Sequence, residues 1–215
     1  MNECPIKGVL FDFGGVIADE GFRNGLYEMA GRSGLDQEDF FRTAGVLIHE
    51  TGYLLGTGSE HDFWERLRRE TGVKGSDGEL KETILKGFTV RPWMIGKVRE
   101  FTGRGVRVAI LSDQTDWLDE LEERMHIFGL FEHVFNSYHL GKSKLDPTQF
   151  TDVLGIMGLE PGETLFVDDN AGNVERAAKV GLHAILFRGK DDFLQKVPRI
   201  VPVNRSGLIR CSTAF

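Results

Sequence analysis

Cysteine is nearly absent from this chain. Cys4 and Cys211 stand near opposite ends of the 215 residues, with no CxxC or Cys/His spacing around either, so neither a disulfide framework nor a zinc site is expected. Nor is there any run of the roughly 18 apolar residues that a membrane-spanning helix needs. The first residues pass through Asn2, Glu3 and Pro5 directly into a strand-like segment, without the apolar centre of a signal peptide. An excess of positive charge is lacking too: 26 basic residues against 33 acidic ones give a formal charge of −7, which argues against nucleic acid or an anionic membrane as partner. The six histidines show no HxxxH pair. The expectation is a soluble, cytoplasmic protein acting on a small molecule, with its oligomeric state left open.

What the chain does have is a core and a repeated pattern. Hydrophobic residues make up 40% of it, normal for a globular fold. Four short segments each close an apolar run with polar groups: Val9 to Ile17, with Asp12, Gly14 and Gly15 inside it; Val108 to Asp113; Lys142-Ser143-Lys144; and Leu165 to Asn170, with Asp168 and Asp169. Such runs read as buried parallel strands, and ligands of open α/β sheets collect beyond the carboxyl ends of these strands. From Pro92 onward strand and helix patterns alternate, with strands expected at 107–111, 133–136, 164–168 and 183–187, as a parallel sheet requires. Between about Glu20 and Val90 no convincing strand is found. Ser59 before Asp62 and Ser76 before Glu79 have capping-box spacing, so this block reads as a helical insertion.

Each polar group also has a plain reading. Asp12, followed by two glycines, exposes a carboxylate while leaving backbone amides free to approach an anion; alone, it could simply cap a turn. Asp168 and Asp169 would repel one another without a cation, although one of them could cap the helix starting near Ala171. Ser112 alone could be a helix cap. Lys144 alone reads as a solvated lysine, whose removal should leave stability within about 1 kcal/mol.

Taken together and in this order, the four segments resemble the motifs of the haloacid dehalogenase superfamily, and the resemblance runs from Ile6 to Phe187. It implies an α/β fold, a Rossmann-like parallel sheet over 1–18 and 91–196, with a small helical cap over 19–90; 197–215 is left as a basic C-terminal tail carrying Arg199, Arg205 and Arg210. It also implies a magnesium-dependent (Mg2+) phosphatase acting on a small phosphorylated metabolite through an aspartyl phosphate on Asp12. Ser112 and Lys144 would act on the transferring group, with Gly14, Gly15 and Asp113 also binding phosphate. Asp12, Asp169 and the Gly14 carbonyl would hold the metal, and Asp168 would stand behind them. Lys144, followed by Leu145, Asp146 and Pro147, fits the third motif better than Lys142.

The departures matter as much. Family phosphatases usually carry a second aspartate two residues after the nucleophile, to protonate the leaving group, and Gly14 occupies that place; Asp113 and Leu145 stand where asparagine and proline are common. A general acid contributes about a hundredfold to ten-thousandfold, so without one the enzyme should favour weakly basic leaving groups such as the anomeric oxygen of a sugar 1-phosphate. A catalytically silent binding protein and a 2-haloacid dehalogenase are the alternatives, since halide leaves unprotonated; a mutase, which needs the missing aspartate, is disfavoured. In the cap, Arg23, His49, Tyr53, His61 and Trp64 could meet substrate, with Tyr53 and Trp64 expected instead to fill the cap's own core.

Overall fold

The computed structural model describes residues 6–201. Both cysteines and the tail residues Arg205 and Arg210 lie outside these bounds. Five strands, β1 (Gly8–Phe11), β2 (Arg107–Ser112), β3 (His133–Asn136), β4 (Thr164–Asp168) and β5 (His183–Leu186), pair in parallel into one sheet of spatial order β3-β2-β1-β4-β5. The chain therefore builds outward from β1 first on one side and then on the other, and β1 is the switch point at which open α/β sheets form a crevice.

The helices in chain order are α1 (Gly21–Ser33), α2 (Gln37–Glu50), α3 (Glu60–Thr71), α4 (Asp77–Leu85), α5 (Pro92–Gly103), α6 (Trp117–Met125), α7 (Ser137–Leu140), α8 (Thr148–Met157), α9 (Ala171–Val180) and α10 (Lys190–Ile200). Among the described residues none is long and apolar enough to cross a membrane.

Side chains alternate across a strand, and the core is sorted accordingly. Val9, Phe11, Val108, Ile110, Leu165 and Val167 belong to one cluster with Val98 and Phe101 of α5 and Phe193 of α10. Leu10, Ala109, Leu111 and Phe166 face a second cluster with Phe150 and Val153 of α8 and Ala177 of α9. With both faces covered, the strands need no polar side, which is why they read as near-continuous apolar runs.

The chain leaves this body after β1 and returns at α5, and the two crossings run side by side: Asp19 N donates to Thr89 O at 2.9 Å and Arg91 N to Ile17 O at 2.9 Å. Between them lie α1 to α4. Ser59 caps α3, and Ser76 and Glu79 form a reciprocal capping box on α4. A carbon added to Gly25 would lie 2.7 Å from Ile84 Cα, so α1 and α4 meet backbone against backbone. Tyr53 and Trp64 are buried here, but not in a core of the block alone: both pack on Trp117 of α6, each with ring centroids 5.6 Å away.

The boundary at residue 197 needs correction, because α10 continues through it to Ile200. Phe193, Val197 and Val201 are buried at four-residue spacing, the period of a helix face docked on the core.

Candidate active site

The sheet order brings the motif residues together. Asp12 follows the central strand directly, its N–H donating to Val167 O at 2.9 Å. Ser112 ends β2 on one side, pairing with Asn136 of β3, and Asp168 ends β4 on the other. Beyond these ends lies a cavity of about 540 Å3, lined by Asp12, Gly14, Ser112, Asp113, Lys144 and Asp169 among others. The Ser112 side chain makes no hydrogen bond among the described residues and so is open to a ligand. The turn after Asp12 is tightly wound: Gly15 has φ +77°, and a carbon added there would fall 2.1 Å from Asp169 Oδ2. Only glycine lets Asp169 approach the first strand's turn this closely.

Lys144 lines the cavity from a buried position. Its ammonium lies 3.0 Å from Asp12 Oδ1 and 2.7 Å from Asp168 Oδ2, with the lysine side chain 1% and the Asp168 side chain 0% exposed. Burial disfavours this ammonium, but Asp12, Asp168 and Asp113 outweigh it and hold its pKa well above the usual lysine value. The segment is held from both sides: Asp113 accepts the Lys144 N–H at 2.9 Å, and Arg176 Nε donates to the Lys144 carbonyl at 2.7 Å. The Asp113 carboxylate, which also lines the cavity, thus holds the lysine segment. Lys142 turns elsewhere, to Asp152 at 2.5 Å and Thr148 at 3.0 Å.

Neither adjacent aspartate caps α9. Asn170 does so, accepting from Gly172 N and Asn173 N. Asp168 accepts three hydrogen bonds, with Oδ1 taking Asn170 N at 2.7 Å and Oδ2 taking Lys144 Nζ and, at 3.1 Å, Asn173 Nδ2.

Asp12, Asp168 and Asp169 offer oxygens all within 4.8 Å of one another. Three carboxylates against one ammonium leave net negative charge. Burial pushes the Asp12 carboxyl well up, Lys144 works against that, and Asp168 and Asp169 add to it; burial and Asp168 raise Asp169 likewise. A small hard cation fits this donor set, since magnesium takes one or two carboxylates, keeps its waters and bridges to phosphate oxygens. Asp168 already accepts three hydrogen bonds, so Asp12 and Asp169 are the less committed carboxylates of the three.

Several residues here carry no motif signal. Arg91 Nη1 donates to the carbonyls of Gly15, Val16 and Ala18 at 2.6, 2.9 and 2.6 Å and so clamps the turn after Asp12. Asn173 and Arg176 support Asp168 and Lys144. Glu20 lines the cavity and caps α1 through Arg23 N at 2.6 Å; burial raises its pKa, against the Arg23 backbone hydrogen bond. Capping-residue spacing could have flagged Asn170; Arg91, Arg176 and Glu20 become neighbours of the site only through the fold. Of the cap candidates, Arg23 and His49 line the cavity, whereas His61 pairs with Asp77 at 2.9 Å on the surface.

The profile of haloacid dehalogenase-like hydrolases matches residues 6–181. A D-ribitol-5-phosphate phosphatase of Bacteroides thetaiotaomicron is 26% identical over 209 residues, covering 91% of this chain and 98% of that protein. A flavin mononucleotide hydrolase of Arabidopsis thaliana is 25% identical over 130 residues, 59% of this chain; the match spans only about half of that longer protein, 53%. In fold, a haloacid dehalogenase family enzyme of Bacteroides thetaiotaomicron, solved in complex with magnesium and inorganic phosphate, superposes with a TM-score of 0.68 at 20% identity, over 86% of this chain and 96% of that one.

Proposed function

This chain belongs to the haloacid dehalogenase-like hydrolase family, and from that premise we infer that it is a magnesium-dependent phosphatase using Asp12 as nucleophile. The observation that carries the reading is the cluster of Asp12, Asp168 and Asp169 around the buried Lys144 ammonium. A dehalogenase needs no cation, and the placing of Asp169 beside Asp12 and Asp168 would then be unexplained. A phosphatase-named relative aligned over 91% of the chain supports the same choice.

The residues have distinct roles in this reading. Asp12 Oδ1 is held by Phe13 N at 2.7 Å and by Lys144, which leaves its other oxygen without a protein partner among the described residues and available to attack phosphorus. Lys144 supplies fixed positive charge and Ser112 a hydroxyl donor toward the transferring group, whose reaction depends mostly on positioning and electrostatics. Asp12 and Asp169, with the Gly14 carbonyl, would hold magnesium, which when bound neutralises phosphate charge. Asp113 and Asp168 position Lys144.

The substrate is a small phosphorylated metabolite. Taken alone, Gly14 in place of an acid favours a sugar 1-phosphate, while the cavity wall formed by Phe22, Phe41, Ile48 and Leu54 also suits a flatter, less polar group, so a substrate panel should hold both kinds. In purified protein, phosphate release is expected to require both magnesium and Asp12. Activity persisting in chelator or in Asp12→Asn would sink the mechanism; halide released from 2-haloacids without metal would replace it with the dehalogenase; binding of phosphate esters without turnover would replace it with a silent binder.

A further inference from the structure

An ester oxygen leaving phosphorus needs a proton unless it is already a weak base, and the groups around Asp12 can be taken one by one. Asp168 is fully buried and already accepts three hydrogen bonds, and both Asp113 oxygens accept the Lys144 N–H. Lys144 is bound between Asp12 and Asp168 as their shared counter-ion. Asp169 is committed to the cation in the reading above. Glu20 remains. One of its oxygens, Oε2, accepts Arg23 N; the other, Oε1, carries no hydrogen bond among the described residues.

The position of that free oxygen is informative. A carbon added to Gly14 would lie 3.7 Å from Glu20 Oε1 and 3.4 Å from Phe88 Cε1. The Glu20 carboxyl therefore lies within reach of the space that an acidic side chain two residues after Asp12 would fill. It arrives from the start of α1, on the far side of the Ala18–Val90 crossing, and an aromatic ring flanks the same spot.

We propose that Glu20 is the general acid and base of this site, a role that rests on the phosphatase reading. As an Asp12 oxygen bonds to phosphorus, the bond from phosphorus to the ester oxygen breaks and protonated Glu20 gives its proton to that oxygen, releasing an alcohol. Glu20, now a carboxylate, takes a proton from a water whose oxygen attacks phosphorus. The bond to Asp12 breaks, inorganic phosphate leaves, and both carboxyl groups return to their starting state. Gly14 then does not mark a missing acid, and the reason for preferring weakly basic leaving groups disappears.

The test uses Glu20→Gln, which keeps an oxygen to cap α1, with phenyl phosphate and 4-nitrophenyl phosphate as esters of one shape and different leaving-group basicity. With magnesium, the variant should lose about a hundredfold or more on phenyl phosphate. On 4-nitrophenyl phosphate it should release a rapid burst of one nitrophenolate per site, followed by slow turnover and an accumulated acyl phosphate. Adding Gly14→Asp to Glu20→Gln should restore phenyl phosphate turnover, because the new carboxyl enters the same space. Wild-type-like kinetics in Glu20→Gln, or an equal fall on both esters with no burst and no rescue, overturns the proposal. Wild-type protein that hydrolyses neither ester overturns the phosphatase reading, and the role of Glu20 with it.

Discussion

At the scale of single residues, Lys144 is where structure departs most from the sequence reading. A solvated lysine could be removed at little cost, but this one is 1% exposed and sits 2.7 Å from an Asp168 side chain that is 0% exposed. Taking away one partner of a buried pair strands the other charge, at about 3–5 kcal/mol. Lys144→Ala should therefore lose stability of that size as well as turnover, measured by urea unfolding at neutral pH in chelator; a loss under about 1 kcal/mol would mean that water reaches Asp168. The site residues legible in sequence were those ending apolar runs: Asp12, Ser112 and Asp168-Asp169 lie at strand ends, where local pattern and function coincide. Glu20, Arg91 and Arg176 sit at a helix start, before a helix and inside one, with ordinary local patterns. Only the packing of distant segments brings them to the turn after Asp12 and to the Lys144 backbone.

At the scale of elements, strand patterns were legible because a sheet covered on both faces leaves no position for polar residues, and helix starts because Ser59 and Ser76 announce them. The end of α10 was not, since its docking face, Phe193, Val197 and Val201, is a short period spread across a Pro- and Arg-containing stretch. The start of α4 carries a pH dependence of its own. His61 on α3 bonds Asp77 at 2.9 Å. That hydrogen bond and the Asp77 charge raise the His61 pKa above its ordinary 6.5. Burial works against Asp77, but His61 and Arg68 prevail and lower its pKa below 3.8. A raised folded pKa gives stability that is complete below the unfolded value and lost as pH climbs through the folded one; a lowered carboxylate gives stability lost only in acid. The stability gap between wild type and His61→Ala should thus be largest at about pH 5–6 and close by about pH 9. Chemical denaturation across that range checks it, and a gap that stays constant or widens toward alkaline pH would refute the pairing.

At the scale of the whole molecule, the question is whether the helical block and the sheet body unfold as one. The larger core cluster runs without interruption from Val9 and Phe11 in the sheet through Trp117 to Tyr53, Phe63 and Trp64 in the block. Trp117 is the hinge of that continuity: fully buried, stacked on Trp64 at 22° and 5.6 Å, and edge-on to Tyr53 and Phe63. The two other tryptophans report separately on the parts, since Trp64 belongs to the block and Trp93, stacked on Phe187 with centroids 6.1 Å apart, to the body. One contiguous core predicts one transition. Fluorescence of single-tryptophan forms keeping Trp64 or Trp93 should give coincident midpoints once Trp117 is replaced by Phe. Trp117→Ala should lower both midpoints together, with a loss of stability of about 3–5 kcal/mol for an emptied aromatic site, because the paired crossings at Ile17–Arg91 and Asp19–Thr89 still tie the two parts. If the Trp64 signal instead melts well before the Trp93 signal while Trp117 is Phe, the block is a separately stable unit laid over the site, and the shared core does not couple it to the sheet.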